Sequence, residues 1–589
     1  ARGDTKIPEN GYVLSIHNSS TSYKHADKIE TGMKCLISLS NSVYSITELD
    51  YDGINTVRTS DSLIVYKGVQ STGTNAYGYE VLVSGDGLII GESTSGNSKI
   101  PGGGLVLSGH GKSAKLLSNL YVNGANIILN EVDRSVKIIK SPTLNIQNAL
   151  NAYENAVKLF EEAKKQFYDI DYTEVQNTLN EISELTEQIG IAINSTDYPE
   201  AIRLSEIVKE SIDTLGYSMI RSSAVENRAA WYRSYDKSDS EVRAAIEKAA
   251  ALNINAIYLE TWYNGMVIGY SDNKLISHNK TAHGDFDALE SFCRIGHEYG
   301  IEIHAWVENF FIGTLSYAEA NPDSLVSNTV GKHLLDSQGN NYNKTIFGDY
   351  VFLNPYDKEN RSLVLNIYKE IIENYDIDGI HLDYIRFPEY NFGTFDYGYN
   401  TDIVEGFRKE YDTTVDPGTL KAGTEMFDNW CRFRENIINS WVEEVYELVI
   451  STKPDLWISS ACYPDALTVP KTLYQNFTNW IENGWMDEIF SMSYSTDNKV
   501  VRDNAELFES LIKDKAFYST GISAFGETTK SDFASQLDII RGVGADGSAV
   551  FSLGSITADN YQEVMIKSSY SKKSVQTYLL NKTISAGMN

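Results

Sequence analysis

The C-terminal two thirds of the sequence alternates short apolar segments with helix-like segments, and this pattern constrains the fold more than any other feature. From Ala224 onward each apolar segment has the length of a strand and is followed by residues with helical periodicity. Such alternation is typical of βαβ units and parallel sheets. Eight strands are predicted, near 227–232, 256–261, 302–308, 379–384, 457–463, 488–494, 517–522 and 548–553. Because eight parallel strands can close on themselves, the sequence predicts an α/β fold, a (β/α)8 barrel over residues 221–570.

The N-terminal part contains an internal repeat. Residues 6–20 read KIPENGYVLSIHNSS and residues 99–113 read KIPGGGLVLSGHGKS. Each copy is followed by a strand-like segment, and alternating apolar segments lie between the copies. The sequence therefore predicts a β-rich domain with two repeats over residues 1–141.

A change to helical periodicity follows between about residues 143 and 215. This change predicts a bundle of helices over residues 142–220, which links the β-rich domain to the barrel. Nothing in it indicates chemistry. The last residues, 571–589, are interpreted as a C-terminal tail.

The charge of the chain limits its partners. Its formal net charge is -30, which argues against nucleic acid or an anionic membrane surface, because such binding depends on Lys and Arg. No segment is apolar over the roughly 18 residues that a membrane span needs.

The four cysteines form no zinc-binding pattern, and we expect free thiols. The chain starts at Ala1, and we expect a secreted or cell-surface protein whose signal peptide has been removed.

The alternation of side chains along the second, third and fourth strands predicts which of them face the barrel interior. The inward positions are Tyr258, Glu260 and Trp262 in the second strand, His304, Trp306 and Glu308 in the third, and His381 and Asp383 in the fourth. A barrel interior is normally filled by branched aliphatic residues, and active sites lie at the C-terminal ends of the strands. This concentration of carboxylates, imidazoles and indoles therefore indicates catalysis.

Cleavage of a glycosidic bond needs two carboxyl groups, one protonated and one ionised. Asp383, Glu308 and Glu260 are the candidate catalytic residues, since each lies at or near a strand end. Asp465 and Asp487 also lie near strand ends, and either is an alternative partner for Asp383. The mechanism requires no cofactor, and no metal is expected.

Other polar and aromatic residues at the same level are candidates for substrate binding. Arg386 is close enough to Asp383 in sequence to keep it ionised or to bind an acidic substituent on a sugar. Flat rings stack on sugar faces. The candidate platforms are Trp231, Trp262, Trp306, Tyr384, Tyr463 and Tyr494. His304 and His381 are either hydrogen-bonded core residues or substrate contacts.

Four motifs resemble the glycosyl-hydrolase-like family 10. They are DGIHLDYIRFP at 378–388, AAWY at 229–232, HAWVEN at 304–309 and GWMDEI at 484–489. The resemblance extends from about Arg228 to Leu553. It implies a (β/α)8 barrel and glycan hydrolysis, with peptidoglycan strands stripped of their peptides as one known type of substrate. The chain is also similar in plan to hydrolase domains that cut partly deacetylated poly-N-acetylglucosamine.

The leading hypothesis is therefore an endo-acting hydrolase of an amino-sugar-containing or bacterial cell-wall polysaccharide. A second hypothesis is a carbohydrate-binding or scaffolding protein with an inactive barrel, associated with the cell wall through the N-terminal domain. It predicts carboxylates that are too far apart, or a site plugged by loops such as 310–349. A third is a hydrolase of dietary or host glycans, since a barrel does not dictate its reaction.

Overall fold

The structure, a computed structural model, describes residues 45–578 except 57–58, 75–77, 86, 95, 123, 141, 196, 390–395, 526–527 and 559. The chain divides into two compact units. The first consists of two segments, the chain up to Glu162 and Thr173–Leu215. The second consists of Ala163–Tyr172 and the chain from Gly216 onward. The first copy of the repeat and Cys35 lie outside the described residues.

The start of the first unit is a small β-rich domain. Its elements are β1 (Ser45–Asp50), β2 (Gly53–Ile54), β3 (Leu63–Lys67), β4 (Gly78–Val83), β5 (Ile89–Ser93), β6 (Leu105–His110), α1 (Lys112–Leu120), β7 (Asn126–Asn130) and β8 (Ser135–Lys140). They form a five-stranded sheet in the order β2-β3-β6-β4-β5 and a three-stranded sheet in the order β1-β8-β7. The second copy of the repeat forms β6 and the start of α1. One apolar core, which includes Val65, Leu107 and Val136, joins the two sheets.

The predicted helical region contains three long helices. They are α2 (Pro142–Lys165), α3 (Tyr172–Asn194) and α4 (Tyr198–Ser218). Each buries apolar side chains, for example Phe160, Ile182 and Val208. That these helices act as a linking bundle stays a prediction.

The second unit alternates strands and helices. Its elements in chain order are β9 (Asn227–Tyr232), α5 (Asp239–Ala251), β10 (Ala256–Tyr263), β11 (Met266–Val267), β12 (Ser277–His278), α6 (Lys280–His283), α7 (Ala288–Glu298), β13 (Glu302–Val307), β14 (Phe311–Thr314), α8 (Leu315–Ala320), α9 (Leu325–Asn328), β15 (Asn343–Thr345), β16 (Gly348–Phe352), α10 (Lys358–Asn374), β17 (Gly379–Leu382), α11 (Thr401–Glu410), α12 (Glu425–Thr452), β18 (Trp457–Cys462), α13 (Val469–Thr472), α14 (Phe477–Glu482), β19 (Glu488–Met492), α15 (Asn498–Ile512), β20 (Phe517–Ser523), α16 (Lys530–Val543), β21 (Gly547–Phe551), α17 (Leu553–Ala558) and α18 (Gln562–Lys567).

Eight of these strands close into the predicted barrel. The parallel order is β9-β10-β13-β17-β18-β19-β20-β21, and β21 pairs with β9 to complete the ring. Side chains such as Ile257, Ile303 and Ile380 point outward into one large core with the surrounding helices. Alternate side chains fill the interior, which contains Trp231, Tyr258, Trp306 and Phe490 among others. The fold class predicted from the sequence is confirmed.

The barrel unit continues beyond its predicted end. Val575 forms a parallel bridge with Val225, and Gln576 is buried. The expectation of a separate tail from residue 571 is therefore wrong for residues 571–578. This segment packs there because it covers the polar backbone beside the first barrel strand.

Two expectations from composition can be compared with the described residues. Within them, no helix is long and apolar enough to cross a membrane. Cys293, Cys431 and Cys462 are buried, and none of the three forms a disulfide. Burial raises the pKa of the Cys462 thiol to about 12, which makes it a poor nucleophile.

Candidate active site

Three carboxylates converge at the C-terminal end of the barrel. Glu260 lies near the end of β10, Glu308 directly follows β13, and Asp383 directly follows β17. All three are buried, with exposed fractions of 2%, 2% and 7%. Each feels the charge of another, since Glu260 and Asp383 both raise the pKa of Glu308. The strand order predicts this convergence, because the three strands are neighbours in the barrel.

Asp383 is held as a hydrogen-bond acceptor. The indole Nε1–H of Trp306 donates to Oδ2 at 3.1 Å, and the backbone N–H of Tyr384 donates to Oδ1 at 2.6 Å. Burial raises the pKa of Asp383, while the positive charge of Arg386 and these two donors act against the increase. Both donors stabilise the ionised form.

The backbone beside Asp383 is fixed by Asn309. Its Nδ2 donates to the carbonyl oxygen of Asp383 at 2.6 Å and to that of Val307 at 3.1 Å. Its Oδ1 accepts from Tyr368 at 2.8 Å and from Trp441 at 2.9 Å. Every hydrogen-bonding group of this buried amide is therefore used, and it locks the ends of β13 and β17 together.

Glu260 and Glu308 differ in their access to positive charge. The Nε and Nη2 of Arg233, which follows β9, donate to the two oxygens of Glu260 at 2.5 and 2.6 Å. The same Nη2 is 3.6 Å from Oε1 of Glu308. Oε2 of Glu308 is buried and has no hydrogen-bond partner among the described residues. Burial, together with the nearby carboxylates, raises the pKa of Glu308 well above its ordinary value, so this carboxyl favours the protonated form.

An open cavity of about 590 Å³ lies above Asp383 and Glu308. Its lining is mostly aromatic and contains Trp231, Trp306, Phe347, Tyr350, Tyr384, Tyr463, Tyr494, Phe525 and Phe551, together with Arg233 and Arg386. A second cavity of about 730 Å³ shares Arg233, Trp306 and Phe551 with it. A third, of about 280 Å³, shares Arg386, Tyr384 and Tyr463. Together they form a cleft that extends to both sides of the carboxylates.

One wall of the cleft comes from the long loop after the third barrel strand. There β14, β16 and β15 form a small antiparallel sheet. Phe347, at the turn between β15 and β16, is 77% exposed and reaches the cavity, as does Tyr350. The loop therefore forms a wall and leaves the site open, which differs from the plug that an inactive barrel was expected to show.

Comparison with known proteins finds the same family that the sequence motifs resemble. The family model described as glycosyl hydrolase-like 10 matches residues 223–514. This part of the chain is similar to that family, as the four motifs also indicate. An S-layer-related protein of Niallia circulans is 22% identical over 265 residues, which is 42% of this chain and only 15% of that protein.

Two solved structures are similar in fold to the barrel. The glycoside hydrolase domain of PgaB (BpsB) from Bordetella bronchiseptica is 12% identical, with a TM-score of 0.47, over 58% of this chain and 98% of that one. The catalytic domain of a β-amylase from Paenibacillus polymyxa is 11% identical, with a TM-score of 0.43, over the same shares. Neither likeness bears on the role of any residue.

Most of the candidate residues in the barrel meet at the cleft. Those that line the central cavity are Asp383, Glu308, Trp231, Trp306, Tyr384, Arg386, Tyr463 and Tyr494. Glu260 lies behind them, bound to Arg233. The side chains at the ends of the third and fourth strands therefore face the cavity, as their alternation along the strands predicts.

The prediction that Trp262 faces the barrel interior is wrong. The register between β10 and β13 shifts between Glu260 and Trp262, which turns the indole out of the barrel. Trp262 has no exposed surface, lies in the outer core and donates from Nε1 to the carbonyl of Asn309 at 3.1 Å. A bulge of this kind reverses side-chain parity, so Trp262 cannot bind substrate.

The two aspartates proposed as alternatives lie elsewhere. Asp487 precedes β19, at the opposite end of the barrel, where Oδ2 accepts from the backbone of Ile458 at 2.8 Å. The next residue, Glu488, is buried at the same end and accepts from Asn227 and Ser519. Asp465 is exposed and accepts from the backbone of Thr468 at 3.3 Å. Neither aspartate lines the central cavity.

The two histidines fill the barrel below the cavity. His381 has no exposed surface, and its Nε2 accepts from Trp231 at 3.1 Å while Nδ1 contacts Ser459 at 2.9 Å. His304 stacks on Tyr258 with ring centroids 4.6 Å apart. Burial lowers the pKa of His381 well below its ordinary value, so it stays neutral. Both are buried core residues, which is the first of the two alternatives that the sequence left open.

Sequence reasoning missed several residues that line the cleft, namely Arg233, Phe347, Tyr350, Phe525 and Phe551. Arg233 has the same parity as Trp231 at the end of the first strand, so the argument used for the other strands would have found it. Phe551 ends the last strand and carries the same signal. Phe347 and Tyr350 come from an inserted sheet, and no short-range pattern indicates that it folds over the barrel.

Proposed function

We propose that the barrel is a glycoside hydrolase that cleaves a bacterial cell-wall or amino-sugar-containing polysaccharide with Glu308 and Asp383. One observation carries the proposal. Two buried carboxyls with contrasting surroundings face one open aromatic cleft: Oε2 of Glu308 has no hydrogen-bond partner among the described residues, whereas both oxygens of Asp383 accept hydrogen bonds. Such a contrast separates an acid from a base.

Glu308 is the general acid in this proposal. Burial and the neighbouring carboxylates raise its pKa, which favours the protonated form that an acid needs. That proton passes to the glycosidic oxygen as the bond between this oxygen and the anomeric carbon breaks. Water supplies the hydroxyl group that ends on the anomeric carbon, and its remaining proton goes to Glu308 when Asp383 is the nucleophile or to Asp383 when Asp383 is the base.

Asp383 is the ionised partner. Trp306 and the backbone N–H of Tyr384 hold its two oxygens, and Asn309 fixes its backbone. A carboxylate in this position stabilises the positive charge that develops on the sugar ring, as a nucleophile or as a base for water. Glu260 binds Arg233 and raises the pKa of Glu308, and in this proposal it is a positioning residue.

The cleft suits a polymer. Cavities adjoin the central one on both sides, so sugar units can lie on either side of the scissile bond. Aromatic rings supply flat surfaces for these units. The family motifs and the S-layer-related relative favour a cell-wall glycan and a secreted or cell-surface location. Attachment to the wall through the β-rich domain belongs to the same proposal.

Mass spectrometry of reaction products tests the proposal. The protein is incubated with denuded peptidoglycan strands, poly-N-acetylglucosamine and a panel of neutral polysaccharides. We expect fragments from one amino-sugar glycan and none from Asp383→Asn or Glu308→Gln. Asp465→Asn is the matched control, because this exposed carboxylate lies outside the central cavity, and it should retain activity. Binding without fragments from any glycan would replace the hydrolase with a binding protein. Fragments from neutral glycans alone would indicate a hydrolase of dietary or host glycans.

A further inference from the structure

Arg386 is a buried cation without an anionic partner. Its side chain is 8% exposed, and its guanidinium forms no ion pair or hydrogen bond within the described part of the chain. Its Nε is buried and unpaired. By contrast, Arg228, Arg233, Arg361, Arg434 and Arg541 each pair with a carboxylate. A protein with a net charge of -30 has many carboxylates available, so the unpaired state of Arg386 is a distinctive feature.

Two tyrosine rings hold the guanidinium in place. Its central carbon is 4.7 Å from the ring centroid of Tyr384 and 4.5 Å from that of Tyr463. These contacts stabilise the positive charge. They provide no hydrogen-bond acceptor for the five N–H groups, which point outward in the plane of the guanidinium. Arg386 lines both the central cavity and the adjoining cavity of about 280 Å³. The donors are therefore preorganised for an acceptor that enters from the cleft.

We propose that Arg386 forms a subsite for the carboxylate of an acidic sugar unit next to the scissile bond. The planar guanidinium matches a carboxylate in size and geometry, and Lys344 adds a second positive charge in the same cavity. Glu389 lines that cavity too, and Asp383 is close enough to feel the charge of Arg386. These neighbours favour a single negative charge over the double charge of a phosphate. The inference rests on the proposed hydrolase and adds the acidic sugar to its substrate.

A matched pair of substrates tests the subsite. One is a glycan with free carboxylates, namely denuded peptidoglycan strands, and the other is the same material after reduction of its carboxyl groups to hydroxymethyl groups. Reduction should lower kcat/KM of the wild type by about 10- to 100-fold, as the loss of a charge-assisted hydrogen bond does. Arg386→Gln should show no such preference, and Arg386→Lys an intermediate one. Lys471→Gln, an exposed cation outside the cavity, should behave as the wild type.

The same experiment excludes a purely electrostatic role. If Arg386 acted only by lowering the pKa of Asp383, Arg386→Gln would lose the same factor on both substrates. The acidic limb of its pH profile would move to higher pH, and the wild type would not distinguish the two glycans. That result would overturn the subsite.

Calorimetry with small probes separates the subsite from the hydrolase. Glucuronate should bind the wild type more tightly than glucuronamide, and Arg386→Gln should lose this difference. Retention of that result in a protein that cleaves no glycan would refute the hydrolase and keep the subsite. Equal binding of the two probes would refute the subsite. Tighter binding of glucose 6-phosphate than of glucuronate would refute the choice of a carboxylate.

Discussion

The indole Nε1–H of Trp306 donates a hydrogen bond to Oδ2 of Asp383 over 3.1 Å, and both side chains line the central cavity. One residue therefore borders the cleft and also stabilises the ionised carboxylate beside it. This double role has a measurable consequence, because the two effects depend on different parts of the indole. The ring borders the cavity, and the N–H lowers the pKa of Asp383.

Trp306→Phe keeps a flat ring and removes the donor. The pKa of Asp383 should rise, because its ionised form loses one of two hydrogen bonds. We expect the acidic limb of the pH profile of kcat/KM to move to higher pH and the maximum to fall by about 10-fold. Trp457→Phe is the matched control, since Trp457 donates to Glu488 at the other end of the barrel over 3.2 Å. An unchanged acidic limb in Trp306→Phe would contradict the assignment of Asp383.

Arg233→Met removes the cation from two carboxylates. Glu260 loses both of its bonds to the guanidinium, and the pKa values of Glu260 and Glu308 should rise because Arg233 lowers both. A carboxyl whose pKa is raised in the folded protein loses its contribution to stability as pH rises. The free energy of unfolding of the variant, relative to that of the wild type, should therefore be lower at pH 8 than at pH 5. The side chain of Arg233 is 37% exposed, which limits the loss to about 1 to 3 kcal/mol.

Urea unfolding at the two pH values measures this loss. The double variant with Glu260→Gln should recover most of it, since no buried charge then lacks a partner. Arg294→Met, which breaks pairs at the surface, should cost less than about 1 kcal/mol at both values. If the double variant is as unstable as Arg233→Met, the loss of stability does not come from an unpaired Glu260, and the predicted role of the ion pair is wrong.

Sequence periodicity was sufficient for the barrel but not for all of its site. Parity along β13 and β17 placed Glu308 and Asp383 correctly, because both strands are regular to their ends. It was wrong for Trp262, because a register shift in β10 leaves no mark in the pattern of apolar residues. The wall that carries Phe347 depends on long-range packing of a 310–352 insertion, and local pattern has no information on where such an insertion folds.

The roles of the two carboxyls can be separated with activated substrates. An aryl glycoside with an acidic phenol as leaving group needs little protonation. Glu308→Gln should therefore lose about 100-fold or more on the natural glycan and much less on the aryl glycoside. Asp383→Asn should be impaired on both. The opposite pattern would exchange the roles, and equal losses on both substrates in Glu308→Gln would remove its role as the acid.

The stability of Glu308→Gln should depend on pH in a direction fixed by burial. The pKa of Glu308 is raised in the folded protein, so its contribution to stability is complete below the unfolded pKa of about 4.3 and is lost as pH rises toward the folded value. Glutamine has no such loss. The variant should therefore gain stability relative to the wild type between pH 4.5 and 8, by at most about 1.4 kcal/mol per pH unit. Glu447→Gln, at an exposed position, should follow the wild type. A constant difference across this range, measured by urea unfolding, would mean that Glu308 ionises in the folded protein as it does in the unfolded chain, and the argument for a protonated general acid would fail with it.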